Sequence, residues 1–118
     1  MNHKDLEVWK TSMDLVTLIY NLTSSFPSEE KFGLVSQMRR AAVSIPSNIA
    51  EGSARKGDKE LVQFLMIAMG SLAELETQYL LAVRLKFTEN RVDIEKKISE
   101  VAKLLLGFRN YVRDKRSE

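Results

Sequence analysis

The chain has 118 residues, 44% of them hydrophobic and 29% charged, and carries a formal net charge of +2, the make-up of one soluble domain with a single core. It contains no cysteine, which excludes a disulfide framework and a thiolate zinc site and fits a reducing compartment. A lone histidine, His3, supplies neither a Cys-His or Ser-His pair nor the Glu-x-x-His sites of di-iron bundles.

The opening MNHKDLEVWK has no signal-peptide apolar stretch, and the longest uncharged run, residues 61–73, is too short to span a bilayer. A cytoplasmic protein with no membrane segment is expected. The first helix is expected over residues 5–24, where Leu6, Trp9, Met13, Val16 and Tyr20 recur at helical spacing beside a second stripe of Val8, Leu15, Ile19 and Leu22. Glu7, Lys10, Asp14, Thr17 and Asn21 cover the opposite side.

Pro27 ends that pattern, and Ser28 followed by Glu29 and Glu30 has the chemistry of a cap and first turn for a second helix over residues 29–54. Its apolar face is Val35, Met38, Ala42, Ile45 and Ile49. Pro46 falls inside this rhythm. It has no N–H for the Ala42 carbonyl and its ring presses on that oxygen, so a kink is expected near Pro46.

The third helix, residues 58–86 with a cap at Asp58, aligns Leu61, Leu65, Ala68, Leu72, Leu75, Tyr79 and Ala82. After the turn FTEN, the fourth, residues 90–115, aligns Ile94, Ile98, Val101, Leu105, Phe108 and Val112. No segment alternates with period two. The sequence therefore predicts an all-α, antiparallel up-down-up-down four-helix bundle, one domain over residues 1–118.

A hairpin of helices two and three turning near Lys56 sets Ala41, Ala42 and Ser44 opposite Gly70, Ser71 and Ala68, small residues against small. Gly70 within a helix costs about 1 kcal/mol relative to alanine, and close backbone approach is the expected return. The same register predicts a partly buried Arg40–Glu74 pair, within the bundle or across subunits, and brings Gln37 near Glu76 or Gln78. Helix three also carries Phe64, Ile67, Leu81 and Leu85 off its main stripe. A helix apolar on most sides must be covered on most sides, so a homo-oligomer is expected.

No catalytic or cofactor site is expected. Glu74 and Glu76 are two residues apart and point to different faces of a helix. GSARKGDK has glycines at P-loop spacing, but Asp58 stands where lysine is required and a helix, not a strand, precedes it. Basic clusters remain: Arg55, Lys56 and Lys59 at the turn between helices two and three, and the stripe Arg109, Arg113 and Arg116. The stripe suits a helix C-terminus or pairs between subunits, and a phosphate backbone equally relieves its mutual repulsion. Lys96, Lys97 and Lys103 alternate with Glu95 and Glu100 as a solvated mixed-charge face. No helix-turn-helix, zinc-knuckle or ribonucleoprotein pattern is present. Two functions stay open, a nucleic-acid-binding adaptor and a protein-interaction scaffold.

The runs DLEVWKTSMDLV, FPSEEKFGLVSQMRRAAVSIPSNIAEGSARKG and ELVQFLMIAMGSLAELETQ closely resemble the bacterial four-helix bundle proteins named after 23S ribosomal RNA intervening sequences, also described as S23 ribosomal protein-like. That family is similar in turn to the accessory variability protein of diversity-generating retroelements. The resemblance implies a ring-like homo-oligomer, a pentamer, with RNA or DNA and a partner protein such as a reverse transcriptase as binding partners. It makes Gln37, Arg39, Arg40, Ser44, Asn48, Glu51, Gly52, Arg55, Gly70, Ser71 and Glu74 motif positions.

Overall fold

Each stretch of helical apolar rhythm is a helix in the computed structural model, which describes residues 1–117 and the side chains of residues 1–115. The helices are α1 (Glu7–Thr23), α2 (Leu34–Ser53), α3 (Asp58–Arg84) and α4 (Val92–Ser117), with short 3₁₀ turns at His3–Asp5 and Ser28–Glu30. No strand occurs among the described residues. Each helix packs against two neighbours, α1 on α2 and α4, α3 on α2 and α4, and the diagonal pairs make no close backbone approach. The molecule is a four-helix bundle 50 Å long and 24 by 20 Å across.

The core stripes of α2, α3 and α4 are those expected, apart from Phe108, which is only partly buried. In α1 the two stripes exchange roles. Val8, Leu15, Ile19 and Leu22 are buried, whereas Met13 and Tyr20 are each 41% exposed. The reason is that the Val8 stripe continues into Phe26, giving α1 an unbroken inner edge, and the small Thr11 and Ser12 complete it. Ser12 meets the cost of its burial by donating to the Trp9 carbonyl at 2.8 Å.

The α2 boundary also differs from expectation. Ser28 does not cap α2: it begins the 3₁₀ turn, a further turn follows, and α2 starts at Leu34 with Gly33 as N-cap. Glu30 still serves the helix, because its Oε1 accepts from the Leu34 amide at 3.1 Å. It acts from outside rather than from the first turn. Asp58 likewise lies inside the first turn of α3 while Gly57 is the N-cap, so its carboxylate acts on the helix dipole and not as a cap. Helix α2 runs unbroken through Pro46.

Helix α3 ends in a Schellman motif: the Phe87 amide donates to the Ala82 carbonyl at 2.9 Å and the Lys86 amide to Val83 at 3.0 Å. Lys86 takes the left-handed conformation, φ 64°, that this motif requires. The turn delivers Phe87 against Phe26, ring centroids 5.6 Å apart, closing that end of the core.

Between α2 and α3, Ser44 Oγ lies 2.8 Å from Ser71 Oγ. Asn48 Nδ2 donates to the Ser44 carbonyl at 2.7 Å and to its Oγ at 2.9 Å, which leaves the Ser44 hydroxyl proton for Ser71. This polar chain is what the small residues permit. Gly52 lies at a close approach of the helices: a Cβ there would stand 2.7 Å from Phe64 Cβ and 3.0 Å from Leu61 Cδ1. Gly70, expected in that role, is exposed, and a methyl added there would have nothing within 4 Å. It sits on the outer side of α3, pointing away from α2.

Candidate nucleic-acid interface

The four-residue turn 54–57 between α2 and α3 is held by the Ala54 amide, which donates to the carbonyls of Ala50 and Glu51, each at 3.2 Å. Arg55 leaves this turn and folds back. Its guanidinium reaches Glu51 at 2.8 Å and Glu60 at 3.9 Å, and lies 5.0 Å from the centre of the half-buried Phe64 ring. Glu51 and Phe64 are thus the partners that hold Arg55 in place. Lys56 and Lys59 are exposed, and neither is within ion-pairing distance of a carboxylate among the described residues.

On α4, Arg109 is half-buried and donates from Nη1 to Met66 Sδ at 3.3 Å. Arg109 and Arg113 both donate to Asn110 Oδ1, from 3.1 Å through their Nη2 atoms. One amide oxygen thus holds the two guanidiniums side by side. The Arg116 side chain lies outside the described residues.

The contacts Tyr79 with Glu95 and Met66 with Arg109 fix the register of α4 on α3. Residue numbers rise on one helix as they fall on the other, so Arg113 lies toward the start of α3. The turn cations Lys56 and Lys59 and the α4 arginines therefore occupy the same end of the bundle.

The remaining motif residues divide. Arg39 clips α2 to α1: its Nε donates to Thr23 Oγ1 at 2.9 Å, its Nη2 to the Tyr20 carbonyl at 3.3 Å, and the guanidinium carbon is 4.5 Å from the Tyr20 ring centre. The expected Arg40–Glu74 pair is not made within the chain. Both side chains are exposed because their positions fall on the outer surfaces of α2 and α3. Gln37 is exposed as well, and the buried Gln78 has no hydrogen-bond partner for its Oε1. Ile67 is 51% exposed, and with Met66, Leu80, Leu81 and Leu85 it leaves a run of open apolar surface along α3.

Sequence reasoning missed Phe32, which is 89% exposed. Its neighbour Lys31 places Nζ 5.5 Å from that ring centre. The signal was available as an aromatic residue between Pro27 and Gly33, in phase with no helix. Extending α2 back to residue 29 concealed it. Among the described residues no group of acidic or histidine side chains could hold a metal ion, and no helix is long and apolar enough to cross a membrane.

Architecture and site define an all-α four-helix bundle protein in which two basic clusters distant in sequence share one end. More specifically, the chain belongs to the 23S rRNA-intervening sequence protein family, whose model matches residues 4–107. It is also similar to a crystal structure of a protein of unknown function from the S23 ribosomal protein family of Bacteroides thetaiotaomicron, at TM-score 0.75 and 23% identity, covering 86% of this chain and 97% of that one. That likeness carries the fold. No curated protein matches the chain.

Proposed function

We propose that this protein is a non-enzymatic, cytoplasmic, oligomeric adaptor that binds RNA or DNA through the end of the bundle bearing Lys56, Lys59, Arg109 and Arg113, with Arg55 and Arg116 beside them. The observation that carries this reading is the convergence of two cationic segments, distant in sequence, at one end. Lys56 and Lys59 lack carboxylate partners among the described residues, and Arg109 and Arg113 share Asn110 Oδ1 at the same end. Lys56 and Lys59 meet a phosphate backbone without first breaking ion pairs among the described residues.

The open apolar run on α3 supports self-association, and a ring of five is the assembly the resemblance implies. Closure multiplies a modest charge per chain into a continuous positive rim. A partner protein such as a reverse transcriptase belongs to the same reading. The non-enzymatic part rests on the residue inventory: no cysteine, and one histidine, His3, set edge-on against Trp9 at 5.2 Å.

The competing reading is a protein scaffold whose arginines serve protein contacts alone, and Arg55 favours it, since Glu51 and Glu60 already take up its charge. Fluorescence anisotropy with a structured RNA and with duplex DNA, titrated over roughly 50 to 200 mM salt, separates the two. Binding that weakens steeply with salt, and that weakens further in Lys56→Glu/Lys59→Glu, is expected. Absence of binding to either probe at low salt sinks the adaptor reading.

A further inference from the structure

At the other end of α2 lies an open trench of about 590 Å³ between α1 and the turn that leads into α2. Tyr20, Lys31, Phe32, Arg39 and Arg40 line it and no carboxylate does. Glu30, the nearest acid in sequence, is turned to the Leu34 amide. Arg39 forms a fixed floor, its guanidinium held on Thr23 and on the Tyr20 ring and carbonyl. Arg40 is exposed and within ion-pairing reach of no described carboxylate. Above it stands Phe32, 89% exposed, in a turn where a polar residue would cost nothing.

An aromatic face flanked by cations matches a ligand that has both a π-face and negative charge. The trench is too open to enclose a small molecule, which draws its affinity from burying most of its surface. A polymer lying along it gains from successive contacts instead. Bases paired in a duplex offer no free face to Phe32, whereas an unpaired base does.

We infer that this trench holds a single-stranded segment of nucleic acid, with one base stacked on Phe32 and the flanking phosphates on Lys31 and Arg40. The inference rests on the nucleic-acid reading above but uses a different surface. The length of helix α2 separates Phe32 from Lys56 and Lys59 by roughly 30 Å at 1.5 Å per residue. Structured and unpaired parts of one molecule are then engaged at opposite ends.

The test uses the full chain, three probes and three variants: a short oligouridylate, a blunt-ended RNA duplex, and an acidic peptide of matched charge, against Phe32→Ala, Phe32→Trp and Arg40→Gln. Phe32 is exposed enough that neither substitution disturbs the core. The expected result is about a tenfold loss of oligouridylate affinity in Phe32→Ala, retention in Phe32→Trp, a salt slope smaller by about one in Arg40→Gln, and unchanged duplex binding in all three. Oligouridylate binding that ignores Phe32→Ala, or duplex binding with no oligouridylate binding, overturns the trench and leaves the adaptor reading standing. Failure of both nucleic acids to bind overturns both. Equal, Phe32-dependent binding of the acidic peptide makes the trench a protein-docking surface and overturns the inference.

Discussion

The Tyr79 hydroxyl donates to Glu95 Oε2 at 2.7 Å, and the Tyr79 hydroxyl oxygen accepts the Arg91 amide at 2.7 Å. One phenol from the last third of α3 thereby fastens the start of α4, supplying a partner to the amide just ahead of the helix. Burial first, and the bond to Glu95 second, raise the Tyr79 phenol above its ordinary 10.0. A raised value means that the folded chain holds this proton more tightly than the unfolded one. The contribution is complete below about pH 10 and is lost as pH rises through the folded value. Tyr79→Phe is therefore expected to cost about 1–2 kcal/mol in urea unfolding near neutral pH. Its deficit relative to wild type should narrow above pH 10, and a deficit constant across the alkaline range removes ionisation from the account.

Two glycines on neighbouring helices should respond in opposite directions to alanine. At Gly52 the new methyl would meet Phe64 Cβ at 2.7 Å, backed by helix rather than by a flexible chain end. Overpacking of this kind costs about 1–3 kcal/mol and outweighs the gain in helix propensity. At Gly70 the methyl meets nothing, so the propensity gain of about 0.5–1 kcal/mol should appear as added stability of the isolated chain. Thermal melts of both variants at low concentration give the comparison. A stabilising Gly52→Ala would falsify the close approach.

Much of the bundle was legible because three of its core stripes are read directly from helical spacing. What was not legible depended on which of two parallel stripes wins, as in α1, where only the continuation into Phe26 decides for Val8 over Met13. Helix register was read well enough to bring Ser44 to Ser71, but not rotation. A turn of about 100° about the axis moves Gly70 from the α2 seam to the outside, and Arg40 and Glu74 are both left exposed without closing an ion pair. The basic clusters were legible as candidates, since an up-down-up-down bundle lays α4 back along α3, but no local pattern in residues 109–116 announces that Arg109 sits on Met66 or shares Asn110 with Arg113.

Arg55 gives a test of the nucleic-acid reading that requires no loss of binding. Its pair with Glu51 is about half-exposed on both sides, where such bridges are worth roughly 0–1 kcal/mol. Glu51→Gln should leave the unfolding midpoint almost unchanged while removing the nearer of the two Arg55 carboxylates, Glu60 staying at 3.9 Å, and one negative charge from the same end. Affinity for structured RNA should rise about two- to fivefold, most at low salt. If binding is unaltered while stability holds, Arg55 belongs to the scaffold reading instead.

The open side of α3 makes the assembly testable apart from any ligand. Ile67 and Leu81 are 51% and 43% exposed, and at fourteen residues apart they share one face of the helix with Met66, Gly70 and Leu80 near them. Charges placed there disturb little of the bundle's own core. Ile67→Glu/Leu81→Glu should keep its helical circular dichroism and its denaturant midpoint at low concentration, while light scattering drops from the mass of an oligomer to 13.5 kDa. Phosphate binding should persist per chain but lose avidity, since joined sites gain about 10²–10⁴ over single ones. A wild-type chain that is already a 13.5 kDa particle at high concentration would remove the ring, and with it the rim on which tight binding depends.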